Sequence, residues 1–135
     1  MKIILDGMGG DNAPASVVEG AVLASKEMEH EIVLIGQQEL IEKELKKYKY
    51  DEKKISIVDA REVITNDEAP VRAVRSKKDS SIVRGINMVK SGEGDIFISA
   101  GSTGALLSGG LFILGRIQGI DRPALASVYP IIGGR

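Results

Sequence analysis

The stretch Asp6-Gly7-Met8-Gly9-Gly10-Asp11-Asn12 decides the fold class. It follows the apolar run 2–5 and precedes Pro14, after which Val17, Val18, Ala21, Val22, Ala24 and Met28 recur near helical spacing. A nearly continuous apolar run suits a strand buried on both faces, and Pro suits the first turn of a helix. The stretch therefore reads as a strand-to-helix turn. The same alternation repeats downstream. Strands are expected at 32–35, 55–58, 96–99 and 124–128, and helices at about 37–48, 80–90 and 103–117. That order predicts an α/β fold with a mainly parallel sheet. Residues 63–74 receive no element.

Composition narrows the function classes. A chain of 135 residues suits one domain. Its 18 basic and 19 acidic residues leave a net charge of −1, which excludes attachment to nucleic acid by overall positive charge. Hydrophobic residues at 43% and charged residues at 27% give a globular balance. There is no Cys, so thiol nucleophiles, disulfides and Cys-ligated zinc are excluded. The single His30 excludes a His-rich metal site and reads as a solvated residue at a helix end. A Cys-free chain fits a cytoplasmic location. The apolar run 2–5 is too short for a signal peptide. The longest apolar stretch, 106–114, is broken by Ser108, Gly109 and Gly110 and falls short of the roughly 20 residues a membrane span needs.

Two Gly-rich turns carry the chemical signal. In the first, Gly9 and Gly10 allow a ligand close to the backbone, and the following helix start attracts anions. It is not a dinucleotide fingerprint, because Asn12 stands where a third Gly is needed, and it lacks the Lys of a phosphate-binding P-loop. Capping by Asp11 or Asn12 is the competing structural reading. The second turn is Ser99-Ala100-Gly101-Ser102-Thr103-Gly104. Hydroxyls and free amides at a helix start can hold phosphate or an oxyanion, although Ser102 or Thr103 also suits a simple cap. Parallel strands place both turns at one sheet edge, which predicts a shared anion site. The second turn is not Gly-x-Ser-x-Gly and has no His partner, which disfavours a serine hydrolase.

Between Ala69 and Arg84 lie five cations (Arg72, Arg75, Lys77, Lys78, Arg84) and one acid, Asp79. This segment is +4, so the rest of the chain carries −5. Lys77 and Lys78 read as solvated surface. Arg72 and Arg75, set among Val71, Ala73 and Val74, are the better candidates for phosphate or an acidic protein surface. The helix at 103–117 is apolar on most sides and is expected to be buried against the sheet or another subunit.

Four stretches, DGMGGDNAP (6–14), DEAPVRAVR (67–75), SAGSTGALL (99–107) and GLFILGRIQGIDRPAL (110–125), together resemble the phosphate acyltransferases of bacterial phospholipid synthesis, the PlsX family. Three positions depart from its pattern: Gly7 replaces the usual Ala, Ser102 the usual Asn, and Ser127 a common Pro. The resemblance implies transfer of a long-chain fatty acyl group from acyl carrier protein to inorganic phosphate, giving acyl phosphate. It implies a three-layer αβα fold like isocitrate dehydrogenase and phosphotransacetylase, a homodimer, loose peripheral membrane association and no cofactor or metal. Family chains are more than twice this length, so the chain, which stops at Gly133-Gly134-Arg135 after a predicted strand, is expected to be the N-terminal part, inactive alone. On this resemblance Asp6, Gly9, Gly10, Asn12, Arg72, Arg75, Ser99, Gly101, Ser102, Thr103 and Gly104 are the expected phosphate- and substrate-binding residues. No residue stands out as a general base. A phosphotransacetylase-like enzyme using coenzyme A, and a non-catalytic piece that binds acyl carrier protein or membrane, are the alternatives.

Overall fold

Four strands, β1 (Lys2–Asp6), β2 (Glu31–Gly36), β3 (Ile55–Asp59) and β4 (Ile96–Ile98), pair in parallel in the order β3-β2-β1-β4. The coordinates are a computed structural model that describes residues 1–127. The register sets Asp6 against Ile35 on one side, and Leu5 against Ile98 on the other.

β1, β2 and β3 are apolar because both sheet faces are covered there, whereas β4, at the end of the described sheet, leaves Ile96 and Ile98 exposed. Ile32 and Leu34 of β2 pack with Val18 and Val22 of α1 (Ala15–Glu27) and with Ile41 and Leu45 of α2 (Gln38–Leu45). The alternate residues Val33 and Ile35 join Ile4 on the opposite face, against Met88 and Val89 of α4 (Ser81–Ser91). This is the three-layer arrangement. Burial of each such side chain contributes about 1.5–3 kcal/mol.

The helices divide between faces for a topological reason. From β1 the chain steps through α1 to β2 and through α2 to β3 in one direction. It then returns through α3 (Pro70–Ser76) and α4 to β4, on the other side of β1. Right-handed crossovers travelling in opposite directions lay their helices on opposite faces. The reversal falls between β1 and β4, and such a switch point opens a crevice at the carboxyl ends of the strands.

Several expectations change. The unassigned segment 63–74 runs into α3, whose Ala73 and Val74 are buried. The helix expected at 37–48 is shorter, Gln38–Leu45, with Ile41 and Leu45 buried and Leu40 exposed. The helix at 103–117 is shorter: α5 (Thr103–Gly109) passes into a π-helical turn, Gly110–Leu114, and stops at Gly115, whose φ of 99° is open to glycine. Its burial is one-sided. Ala105 and Gly109 are buried, whereas Phe112 and Leu114 are 50% and 51% exposed, with the Arg75 guanidinium lying over the Phe112 ring. Residues 124–127 form no strand, for they find no ladder partner among the described residues, and Val128 lies outside those residues. Among the described residues no helix is long and apolar enough to cross a membrane.

Candidate functional site

At the switch point the two Gly-rich turns meet over Asp6. Asp6 ends β1 and is 1% exposed. Its Oδ1 accepts from the Met8 amide at 3.0 Å, which shapes the first turn. Its Oδ2 accepts from the Ser99 hydroxyl at 2.6 Å. That hydroxyl in turn accepts from the Gly101 amide at 3.0 Å, which shapes the second turn. One carboxyl group therefore joins turns 93 residues apart in the chain. Buried polar groups need such partners, and among the described residues every buried side-chain nitrogen and oxygen has one.

The contact is close enough to require glycine at position 9. A Cβ on Gly9 would lie 2.7 Å from Asp6 Oδ2, 2.7 Å from the Gly101 nitrogen and 2.9 Å from Ser99 Oγ. Gly10 follows with φ of 103°. Ser102 is buried, and its Oγ accepts from the Ala105 amide at 3.3 Å, so the capping reading of Ser102 holds. Gly104 meets Pro70, which brings the start of α5 against the start of α3.

A cleft of about 290 Å³ opens beside these turns. Asp6, Gly9, Gly10, Gly101 and Ser102 line it. Among the described residues no acceptor partners the amides of Gly10 and Ser102. Asn12, Thr103, Gly104, Ser99, Arg72 and Arg75 are not in the lining. Asn12 is exposed, with its carbonyl accepting from Ser16, and Arg72 and Arg75 lie on the exposed face of α3.

The opposite wall was not legible as a site. It comes from Ile64, Thr65, Asn66 and Asp67, and from Ser81 and Ile82 at the start of α4. Two signals pointed to it: the Asn66-Asp67 pair favours a turn, and Ser80 precedes an apolar run as a cap should. Ser80 does cap α4, accepting from the Val83 amide.

This wall is held by a cation read as solvated surface. Lys77 is half-buried, and its Nζ donates to the Val63 carbonyl at 2.7 Å and to Glu68 Oε2 at 2.7 Å. Glu68 also accepts from the Thr65 amide at 2.9 Å. The Lys77 hydrogen bond, followed by the Thr65 amide, holds the Glu68 carboxyl below its ordinary value. Asp79 is lowered likewise, first by the Arg61 amide and then by the Arg84 guanidinium. The +4 segment thus contains two kinds of cation. Lys77 and Arg84 are paired with carboxylates, and Arg72, Arg75 and Lys78 form no ion pair among the described residues.

Among the described residues the ionisable groups in the lining are Asp6, Asp11 and Asp67. Among the described residues no group of three or more acidic, His or Cys side chains is placed to hold a metal ion. Beside these three carboxylates, the cleft offers a substrate backbone amides and hydroxyls.

A family model described as fatty acid synthesis protein matches residues 1–135. The chain is 57% identical to a phosphate acyltransferase of Clostridioides difficile over 130 residues, covering 96% of this chain and 38% of that protein. A phosphate acyltransferase of Alkaliphilus oremlandii is 55% identical over 134 residues, covering 99% of this chain and 40% of that protein. For that of Halothermothrix orenii the identity is 48%, with the same coverage of 99% and 40%. The chain therefore spans about 40% of the length of the curated relatives it matches.

Proposed function

The chain belongs to the fatty acid synthesis protein family, and from that premise we propose that it forms part of a phosphate acyltransferase. In this reading a long-chain fatty acyl group moves from the thiol of acyl carrier protein to inorganic phosphate, and the acyl phosphate feeds phospholipid synthesis. A homodimer with loose peripheral membrane contact belongs to the same reading. The observation that carries it is the meeting of the two turns over Asp6 at the switch point, with the Gly10 and Ser102 amides in the cleft.

The reaction asks little of side chains. A phosphate oxygen adds to the thioester carbonyl, forming a C–O bond and a tetrahedral oxyanion. The oxyanion collapses, the C–S bond breaks, and the sulfur leaves with the electron pair and takes a proton from solvent. A thiol of pKa about 8.5 is a good leaving group without strong acid assistance. Phosphate is itself the nucleophile, so neither Cys nor an activated Ser is needed. What remains is to position phosphate and to stabilise the oxyanion, which preorganised amides do. The amides of Gly10 and Ser102 take those roles. Among the described residues no cation lines the cleft, and the amino-terminal end of α4, whose Ser81 is in the wall, adds a favourable dipole.

The test is an acyl phosphate assay on the complete gene product, with acyl carrier thioester and coenzyme A thioester compared. The reading expects phosphate-dependent thiol release, acyl phosphate trapped by hydroxylamine, and higher kcat/KM with the carrier. Thiol release that ignores phosphate contradicts it. A preference for the coenzyme A thioester replaces it with a phosphotransacetylase-like enzyme.

A further inference from the structure

We propose that the exposed face of α3, built from Arg72, Arg75 and Val71 and continued by Phe112, docks an acidic protein surface. The inference rests on the function proposed above, under which that partner is acyl carrier protein.

Four observations carry it. First, the segment 69–84 is +4 in a chain of net charge −1, so this is where the protein concentrates positive charge. Second, the fold consumes Lys77 and Arg84 of that segment in ion pairs with Glu68 and Asp79, but leaves Arg72 and Arg75 exposed without a carboxylate among the described residues. Third, the surface is mixed rather than merely charged. The Arg75 guanidinium lies 5.2 Å from the centroid of the half-exposed Phe112 ring, and Val71 is 43% exposed one turn before Arg75. Stacking of this kind holds the guanidinium in place without neutralising it. Arginine and aromatic residues are also the types enriched at protein interfaces. Fourth, the surface borders the cleft. Asp67, in the cleft wall, is three residues before Pro70, and Pro70 packs on Gly104 at the start of α5. A protein seated on α3 is placed to deliver a tethered thioester to the turns.

The chemistry favours a protein over a membrane. Anionic lipid surfaces are read by clusters of about 4–8 Lys and Arg. Here, among the described residues, Arg72 and Arg75 on a helix of seven residues, with Lys78 just beyond it, are the cations of the segment without an ion pair, fewer than such a cluster. A guanidinium grips a carboxylate through two parallel hydrogen bonds, which suits acidic side chains presented by a folded partner.

The test is direct binding of acyl carrier protein to the complete gene product, read by fluorescence anisotropy at low and high salt. The double variant Arg72→Glu/Arg75→Glu is compared with wild type and with Lys43→Glu, a change on the exposed face of α2 in the opposite layer. The proposal expects the dissociation constant to rise on the order of tenfold or more in the double variant, with its salt dependence flattened. Lys43→Glu should bind like wild type. Circular dichroism checks folding, and if the double variant fails to fold, Arg72→Gln carries the test. That side chain forms no hydrogen bond or ion pair among the described residues.

No binding by wild type, or binding of the folded variant within twofold of wild type, overturns the proposal. So does equal weakening by Lys43→Glu. A parallel arm uses phosphatidylglycerol vesicles: if the double variant loses vesicle binding but keeps carrier binding, the face is a membrane contact and the proposal fails. Acyl phosphate formation is scored separately. Carrier binding that needs these arginines without acyl phosphate keeps the docking surface and removes the enzymatic reading; acyl phosphate formation with carrier affinity indifferent to them does the reverse.

Discussion

The carboxyl edge of β1 and β4 contrasts with residues 110–127. At the edge, Asp6, Ser99, Gly9 and Gly101 lie in mutual contact, and each polar atom named there has a partner. In 110–127, Phe112, Leu114, Ile117, Ile120 and Leu125 are all at least half exposed, with Ile117 at 79%. Both regions are Gly-containing, and both include chain that follows β4. The difference is that polar ties specify a single geometry, whereas apolar content creates only a demand for cover. An apolar helix becomes a buried helix when something else covers it, and its own periodicity does not say what does.

That contrast can be broken by substitution, and the largest effect belongs at the edge. Asp6→Ala removes the acceptor for both Met8 and Ser99 and should cost about 3 kcal/mol, since a hydrogen bond to a charged group contributes about 1.5–3 kcal/mol. Chemical denaturation would show this as a lower midpoint with an unchanged slope. Gly9→Ala forces a methyl group against the Gly101 backbone and should cost about 2 kcal/mol, within the usual range for overpacking. It should also lower activity in the acyl phosphate assay, because the two turns must separate. Ser102→Ala removes the α5 cap, with an expected loss of about 1 kcal/mol in the same denaturation series.

The acid limb of the stability curve sharpens the comparison from the other wall of the cleft. Glu68 and Asp79 both have folded values below their ordinary ones near 4.5 and 3.8. A lowered carboxyl value means that the folded state binds the proton less readily than the unfolded one. The stability they add is therefore present above about those values and is lost as pH falls through the folded values. Both groups are at the surface and screened by solvent, so the effect is small. Glu68→Gln should flatten the loss of stability measured between neutral and acid pH. An unchanged acid limb counts against a role for Glu68 in holding the loop. The smallest effect is expected in 110–127, where Leu114→Ser should change stability by less than about 0.5 kcal/mol, as for surface sites generally. A cost of several kcal/mol there would show that this side is covered.

Much of this was legible in the sequence. Apolar runs in β1, β2 and β3 announced strands covered on both faces, and parallel pairing placed the turns at Gly9 and Gly101 on one edge. The pairing of Asp6 with Ser99 was not legible. Each residue had a local explanation, and only the side-by-side register of β1 and β4 joins them. α3 escaped because seven residues with two buried positions, Ala73 and Val74, are too few for periodicity to register. Without α3, the loop 63–67 had no reason to stand across the cleft. Lys77 escaped for a related reason. Sequence shows its charge but not the Val63 carbonyl and Glu68 carboxylate that fix it.

Asp6 and Ser99 hold the two turns as one unit, which a double-mutant cycle would test. Stabilities of wild type, Asp6→Ala, Ser99→Ala and the double variant would be measured by urea denaturation. The double variant should lose less than the sum of the single losses, with a coupling of about 1–3 kcal/mol, inside the range of about 0.5–3 kcal/mol found for residues in one hydrogen-bond network. Losses that add to within about 0.5 kcal/mol, the behaviour of independent sites, would contradict it.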